Sequence, residues 1–237
     1  MKITILYLYY DLLNLYGESG NVKVLKKSLE SLDIDVSLKF STLDDEIDLT
    51  DVDLIYVGSG SEKNQLLALE HLKKYKEEMK EFILSGKFVL ATGNAIELFG
   101  KEIDQIKALE VFSYSAKTSD KRIVDEALYK TALISSYILG FNNRNSFIVN
   151  NQHPFFQSIK GAGNNQNDVN EGYNEYHFYG TYLLGPLLAR NPEFLRYFIN
   201  ELIKFKDPNF TIKKIPLNLE ENAYQEFLKN YYSEYIS

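Results

Sequence analysis

The chain opens on an apolar, β-rich run, Ile3 to Tyr9, which suits a buried strand. A loop follows from Asp11 to Asn21, and then Val22, Leu25, Leu29 and Leu32 recur at helical spacing. Ile34 to Phe40 alternates, as a half-exposed strand does. Asp53 to Val57 predicts a short buried strand running into Gly58-Ser59-Gly60-Ser61, where Ser61 suits the N-cap of a helix. That helix carries Leu66, Leu69, Leu72, Tyr75, Met79 and Phe82 on one face, with lysines and glutamates opposite, and Gly86 ends it. Phe88 to Ala91 is the next buried strand. A β-α-β-α-β order predicts a parallel sheet with helices on both faces.

From about Ile106 to Val149 the pattern changes. Val111 to Tyr114, Arg122 to Val124 and Tyr137 to Leu139 read as shorter strands, an antiparallel extension. Gly161 to Asn174 reads as a loop, Tyr179 to Leu184 as a strand, and Pro192 as the first turn of a helix reaching about Phe205. A last amphipathic helix covers about Glu220 to Tyr235. No linker or repeat divides the chain. One domain over 1–237 is expected, with a core at about 2–206 and a helical extension at 207–237.

Of 237 residues, 45% are apolar, enough for a substantial core. The net charge of −7 argues against nucleic acid or an anionic membrane as the main partner. With no cysteine, disulfides, thiolate metal sites and cysteine nucleophiles are excluded. Three histidines, at 71, 153 and 177, leave little for a metal site, so no metal or cofactor is expected. His71, on a charged helix, and His153 are expected to be solvated. Lys2 before the first apolar run is faintly like a signal peptide, but Asp11 interrupts it and no small-residue cleavage site follows. A first core strand, a cytoplasmic protein and no membrane span are the expectations.

Two strand ends could carry chemistry. Gly58-Ser59-Gly60-Ser61 would let backbone N–H groups point into a crevice, as an anion or oxyanion site requires, or is simply a strand-to-helix turn. Phe88 to Gly100 has the form of a nucleophile elbow with Gly93 at its apex, or is a tight turn. A glycine at such an apex is expected at positive φ.

Four segments, in order, resemble the CobB/CobQ-like class I glutamine amidotransferases, and among them the glutaminase subunits of lipid II isoglutaminyl synthases. They are Asp11 to Asn21, Gly58-Ser59-Gly60, the elbow at Val89 to Gly100, and a stretch from Gly163-Asn164-Asn165 through Glu171-Gly172 to Gly180–Leu188 and Asn191-Pro192. The resemblance implies an α/β fold of flavodoxin-like type: a mostly parallel sheet flanked by helices, with an added antiparallel section. It also implies a Mur ligase-like synthetase subunit as heterodimer partner.

The departures bear on activity. The family's catalytic cysteine falls at Gly93 and its histidine at Leu184, and its Gly-Phe-Glu-Asn-His segment reads Gly140-Phe141-Asn142-Asn143-Arg144. The resemblance therefore implies an inactive glutaminase site, with the former nucleophile position at Gly93 and the former base position at Leu184. Gly58, Ser59, Gly60 and Asn94 would line the remaining pocket, with Arg122 matching a family arginine of the glutamine site. Gly93 is expected to leave that pocket roomier, and Leu184 to make it more apolar. Three functions stay open: a non-catalytic subunit of a Mur ligase-like synthetase, a module binding glutamine or another amino acid, and an amidase with a non-cysteine nucleophile.

Overall fold

The computed structural model describes residues 1–165 and 167–236. In chain order its first half comprises β1 (Lys2–Leu8), α1 (Ser19–Glu30), β2 (Asp35–Ser41), β3 (Leu54–Val57), α2 (Glu62–Leu72), α3 (Lys76–Leu84) and β4 (Phe88–Thr92). Next come β5 (Glu102–Ile103), β6 (Ile106–Lys107), β7 (Ser115–Lys130), β8 (Ile138–Val149), β9 (Phe156–Lys160), β10 (Asn170–Glu171), β11 (Tyr173–Glu175) and β12 (Phe178–Thr181). The last elements are α4 (Leu187–Arg190), α5 (Pro192–Lys206) and α6 (Asn218–Tyr231).

The main sheet has the order β11-β12-β4-β3-β1-β2, parallel except for β11. Because side chains alternate along a strand, its two faces serve two cores. Leu6, Leu8, Ile55, Val57, Val89 and Ala91 pack with Leu69 and Leu72 of α2 and with Met79 and Ile83 of α3. Ile3, Ile5, Leu54, Tyr56, Phe88 and Leu90 meet Val22, Leu25 and Leu29 of α1 and Leu195, Phe198 and Leu202 of α5. Burial on both faces is why these strands read as continuous apolar runs.

A second sheet, β10-β9-β7-β5-β6, carries β8 on β7. The β7–β8 ladder changes register between Thr118↔Ser146 and Ile123↔Arg144, so residues 119–122 face Asn145 alone. Near the chain's end, α6 lays Tyr224 and Leu228, with Tyr232 just beyond it, against Leu128 and Leu139.

Several elements differ from the sequence pattern. The long helix after Ser61 is broken: a 3-10 turn at Lys73–Tyr75 separates α2 from α3, with Tyr75 at φ −114°. Its apolar stripe survives the break because Leu72 and Met79 are both buried. Val111 to Tyr114 is not a strand, and β7 begins at Ser115. The expected strand at Arg122 to Val124 is the middle of β7, whose exposed residues hide the alternation. The loop at 161–174 holds β10 and the start of β11, β12 stops at Thr181 rather than Leu184, and the last helix ends at Tyr231. No helix among the described residues is long and apolar enough to cross a membrane.

Candidate functional site

Ligands of open α/β sheets bind beyond the carboxyl ends of the strands. Here the segments after β3 and β4 open on a crevice of about 250 Å³. Ser61 Oγ accepts the Asn64 N–H at 3.2 Å, which caps α2 and sets the direction in which the loop leaves β3. Gly58 lets that loop pass beneath Leu13: an added Cβ would stand 2.5 Å from the Leu13 carbonyl oxygen.

β4 ends at Thr92, and Gly93 opens a 3-10 helix, Gly93–Phe99. Gly93 has φ +61°, the positive value expected of an elbow apex. A Cβ there would overlap the Oγ and Cβ of Ser59 and stand 2.8 Å from Leu184 Cδ2. Ser59, Gly93 and Leu184 therefore meet at one point. The expected extra room at Gly93 is absent, because the side chains of Ser59 and Leu184 already occupy it. Asn94 closes the same corner. Its Oδ1 accepts from Ser59 Oγ at 3.2 Å and from the Gly60 N–H at 3.1 Å, while its Nδ2 donates to the Gly60 carbonyl at 3.0 Å. The Gly60 N–H is thus already engaged by a side chain of the protein.

Ser59, Gly60, Gly93, Asn94 and Arg122 line the crevice; Gly58 and Leu184, expected there too, do not. Leu184 is buried, and its N–H donates to the Phe141 carbonyl at 2.9 Å in an isolated bridge to β8. The crevice lining accordingly takes no apolar surface from Leu184. It includes Gln65, Glu97, Arg144, Ser146 and Tyr182, which the sequence did not single out for a site.

Glu97 is buried and accepts from Gln65 Nε2 at 2.8 Å, from Tyr182 Oη at 2.9 Å and from Ser146 Oγ. Burial raises its pKa, and these donors hold the rise back. Arg144, also buried, donates to the carbonyls of Ser146 at 2.5 Å, Asn164 at 3.0 Å and Gly163, and its guanidinium lies 4.1 Å from the centre of the Tyr182 ring. Glu171 accepts from Thr181 Oγ1 and, at 2.7 Å, from the Tyr182 N–H; burial lifts its pKa to about 7. On the other side of the elbow, buried Glu18 accepts from Tyr56 Oη at 2.7 Å and from Thr92 Oγ1, and burial likewise lifts its pKa to about 7. Thr92 is thereby turned away from Gly93, as alternation along the strand requires. The available sequence signal was a glutamate inside an apolar run, as in Ile96-Glu97-Leu98-Phe99.

None of the three histidines lines the crevice. His71 is buried rather than solvated: its Nδ1 lies 3.1 Å from Tyr9 Oη, and burial lowers its pKa. His153 is half-exposed, 3.9 Å from Glu175. His177 stacks on Phe88 at 4.1 Å. Among the described residues, no group of three or more His, Cys, Asp or Glu side chains is arranged to hold a metal ion.

Comparison with known proteins gives this geometry a context. The chain is 26% identical over its whole length to subunit GatD of the glutamine-hydrolysing lipid II isoglutaminyl synthase of Streptococcus pneumoniae, covering 91% of that protein. It is 26% identical to the corresponding GatD of Staphylococcus aureus, with 94% of each chain covered. The crystal structure of a glutamine amidotransferase from Thermotoga maritima shares the fold, with a TM-score of 0.56 and 12% identity over 94% of this chain and 92% of that one. The model of the CobB/CobQ-like glutamine amidotransferase domain matches residues 4–192, so the chain belongs to that family.

Proposed function

We propose that this chain is the amidotransferase-like subunit of an amide-forming synthetase of the lipid II isoglutaminyl synthase kind, and that it does not itself hydrolyse glutamine. Full-length likeness to two GatD subunits supports the subunit assignment. The observation that carries the loss of activity is the plugged corner at Gly93. Attack on a glutamine side-chain amide needs a nucleophile with a base beside it and free donors for the developing oxyanion. The chain has no cysteine, the space beside Gly93 is filled by Ser59 and Leu184, and the Gly60 N–H is held by Asn94. Losing nucleophile and base removes several kcal/mol of barrier lowering, on the order of a thousandfold or more in rate.

In this reading the chain is a structural or regulatory partner of a Mur ligase-like subunit that activates a carboxylate with ATP and takes its ammonia from elsewhere. We also take residues 1–237 as one domain, in which the extension at 207–237 returns to the core through Tyr224 and Leu228. A cytoplasmic location goes with an ATP-using partner. The test has two arms. Purified protein with glutamine should release no ammonia above background, and release at ordinary enzyme rates would overturn inactivity. A pull-down from the native cell should recover a ligase-like chain, and repeated recovery of the protein alone would overturn the partnership.

A second reading, a module that binds an amino acid without converting it, is favoured by the persistence of the crevice with Arg122 in its wall. A guanidinium there suits a carboxylate ligand. An amidase with a rebuilt nucleophile is less well supported: Ser59 Oγ donates to an amide oxygen and Thr92 Oγ1 points to Glu18, away from the crevice.

A further inference from the structure

Arg122 is not free in the crevice. It belongs to the four-residue excursion of β7, and its Nη2 donates to Glu62 Oε1 at 3.1 Å while its Nη1 donates to Asn143 Oδ1 at 2.9 Å. Asn143 Nδ2 in turn donates to Tyr16 Oη at 3.0 Å. All four residues line the crevice, so the chain's own side chains link its walls: β7, the start of α2, β8 and the loop before α1. The ion pair at the centre of this linkage is held loosely. Arg122 and Glu62 keep 46% and 56% of their side-chain surface exposed, so no packing fixes either one. Only one nitrogen of the guanidinium reaches the carboxylate, and the other is spent on an amide oxygen. A guanidinium is best satisfied by two parallel bonds to one carboxylate.

We propose that Glu62 is a built-in competitor for this guanidinium: a small ligand bearing a carboxylate enters the crevice by displacing Glu62 from Arg122. Glu62 then sets which ligands bind, because a ligand must offer Arg122 more than the single bond it already has. The inference rests on the second reading above, that the crevice accepts an amino acid.

L-glutamine is the probe, titrated calorimetrically into the wild type, Glu62→Gln and Arg122→Gln, with ammonia measured in the same samples. The amide of L-glutamine, in which the α-carboxylate is replaced, is the control. Both substitutions fall on exposed side chains and leave the core alone. Glu62→Gln should bind glutamine about two- to fivefold more tightly, the scale of an exposed ion pair. Arg122→Gln should bind it at least about tenfold more weakly, as loss of a charge-assisted pair implies. The control should be insensitive to Glu62→Gln. Unchanged or weaker glutamine binding in Glu62→Gln would overturn the proposal, as would tighter binding of the control, or no binding of glutamine to both wild type and Glu62→Gln. Release of ammonia would instead overturn the inactive reading, and the affinities would still judge Glu62.

Discussion

Replacing Gly93 by alanine tests the central corner directly. Two costs arise there and can be separated. The first is conformational: at φ +61° an L-residue loses about 1–2 kcal/mol relative to glycine. The second is steric, because the new Cβ overlaps Ser59 and stands 2.8 Å from Leu184 Cδ2, and overpacking a filled core costs about 1–3 kcal/mol. Together Gly93→Ala should lose about 2–5 kcal/mol. Gly17 supplies the control. It has φ +80°, and an added Cβ there meets nothing within 4 Å, so Gly17→Ala carries the conformational cost alone. Ser59→Gly supplies the relief, since it removes the overlapping atoms. The double variant Ser59→Gly with Gly93→Ala should therefore recover at least about 1 kcal/mol relative to the sum of the singles, within the range seen for residues in contact. Urea unfolding of the four variants and the wild type measures every quantity. If Gly93→Ala costs no more than Gly17→Ala, or if the Ser59–Gly93 pair is additive, then Ser59 does not fill the space and the account of the corner is wrong.

The same geometry implies that restoring a cysteine is not enough. Gly93→Cys with Leu184→His should stay inactive while Ser59 fills the corner, and only addition of Ser59→Gly should yield detectable ammonia from glutamine; activity in the double alone would contradict the overlap. Glu18 and Glu171 give a pH dependence. Their folded pKa values of about 7 lie above the ordinary 4.5, so the folded state holds their protons more tightly than the unfolded chain. Their stabilisation is full below about pH 4.5 and is lost as pH rises through 7, by up to about 3 kcal/mol for each carboxyl. Urea midpoints should fall between pH 5 and pH 8, and Glu18→Gln should flatten the slope; a midpoint that rises with pH would refute the assignment. Asn191 joins the chain just before α5 to β8: its Oδ1 accepts the Leu139 N–H at 2.7 Å, and its Nδ2 donates to the carbonyls of Leu139 and Leu187, each at 2.8 Å. Asn191→Ala strands these buried groups and should cost about 1–3 kcal/mol by urea unfolding.

The parallel sheet was legible because β1, β3 and β4 are buried on both faces, and Ile3 to Tyr9 or Phe88 to Ala91 admit few other readings. Gly93 was legible too, since a glycine between a buried strand and a helix-like run marks a turn that needs positive φ. The floor of the crevice was not. Glu97 interrupts an apolar run and looks like a break in the pattern, Arg144 and, behind the crevice lining, Glu171 sit in polar stretches that look like loop, and only the folded chain gives them their donors and acceptors. Of β7 only the short run Arg122 to Val124 was read as strand, because a strand exposed along its middle, carrying Lys117, Asp120, Lys121 and Arg122, has little alternation to detect. His71 was misplaced because its helix is charged overall, while the single face on which it sits is turned toward Tyr9.

The unpaired excursion at residues 119–122 uncouples the crevice rim from the sheet that carries it. On either side the β7–β8 ladder is fixed by its own cross-strand partners, Thr118 with Ser146 and Ile123 with Arg144. Length and sequence between those two pairs are therefore free to vary at little cost to the framework, as in any loop whose ends are anchored. An added or deleted residue at Ser119, Asp120 or Lys121 would move Arg122 relative to Glu62 without shifting a single rung of the ladder. The rim of the crevice can thus drift in evolution, or be redesigned, independently of the part that folds.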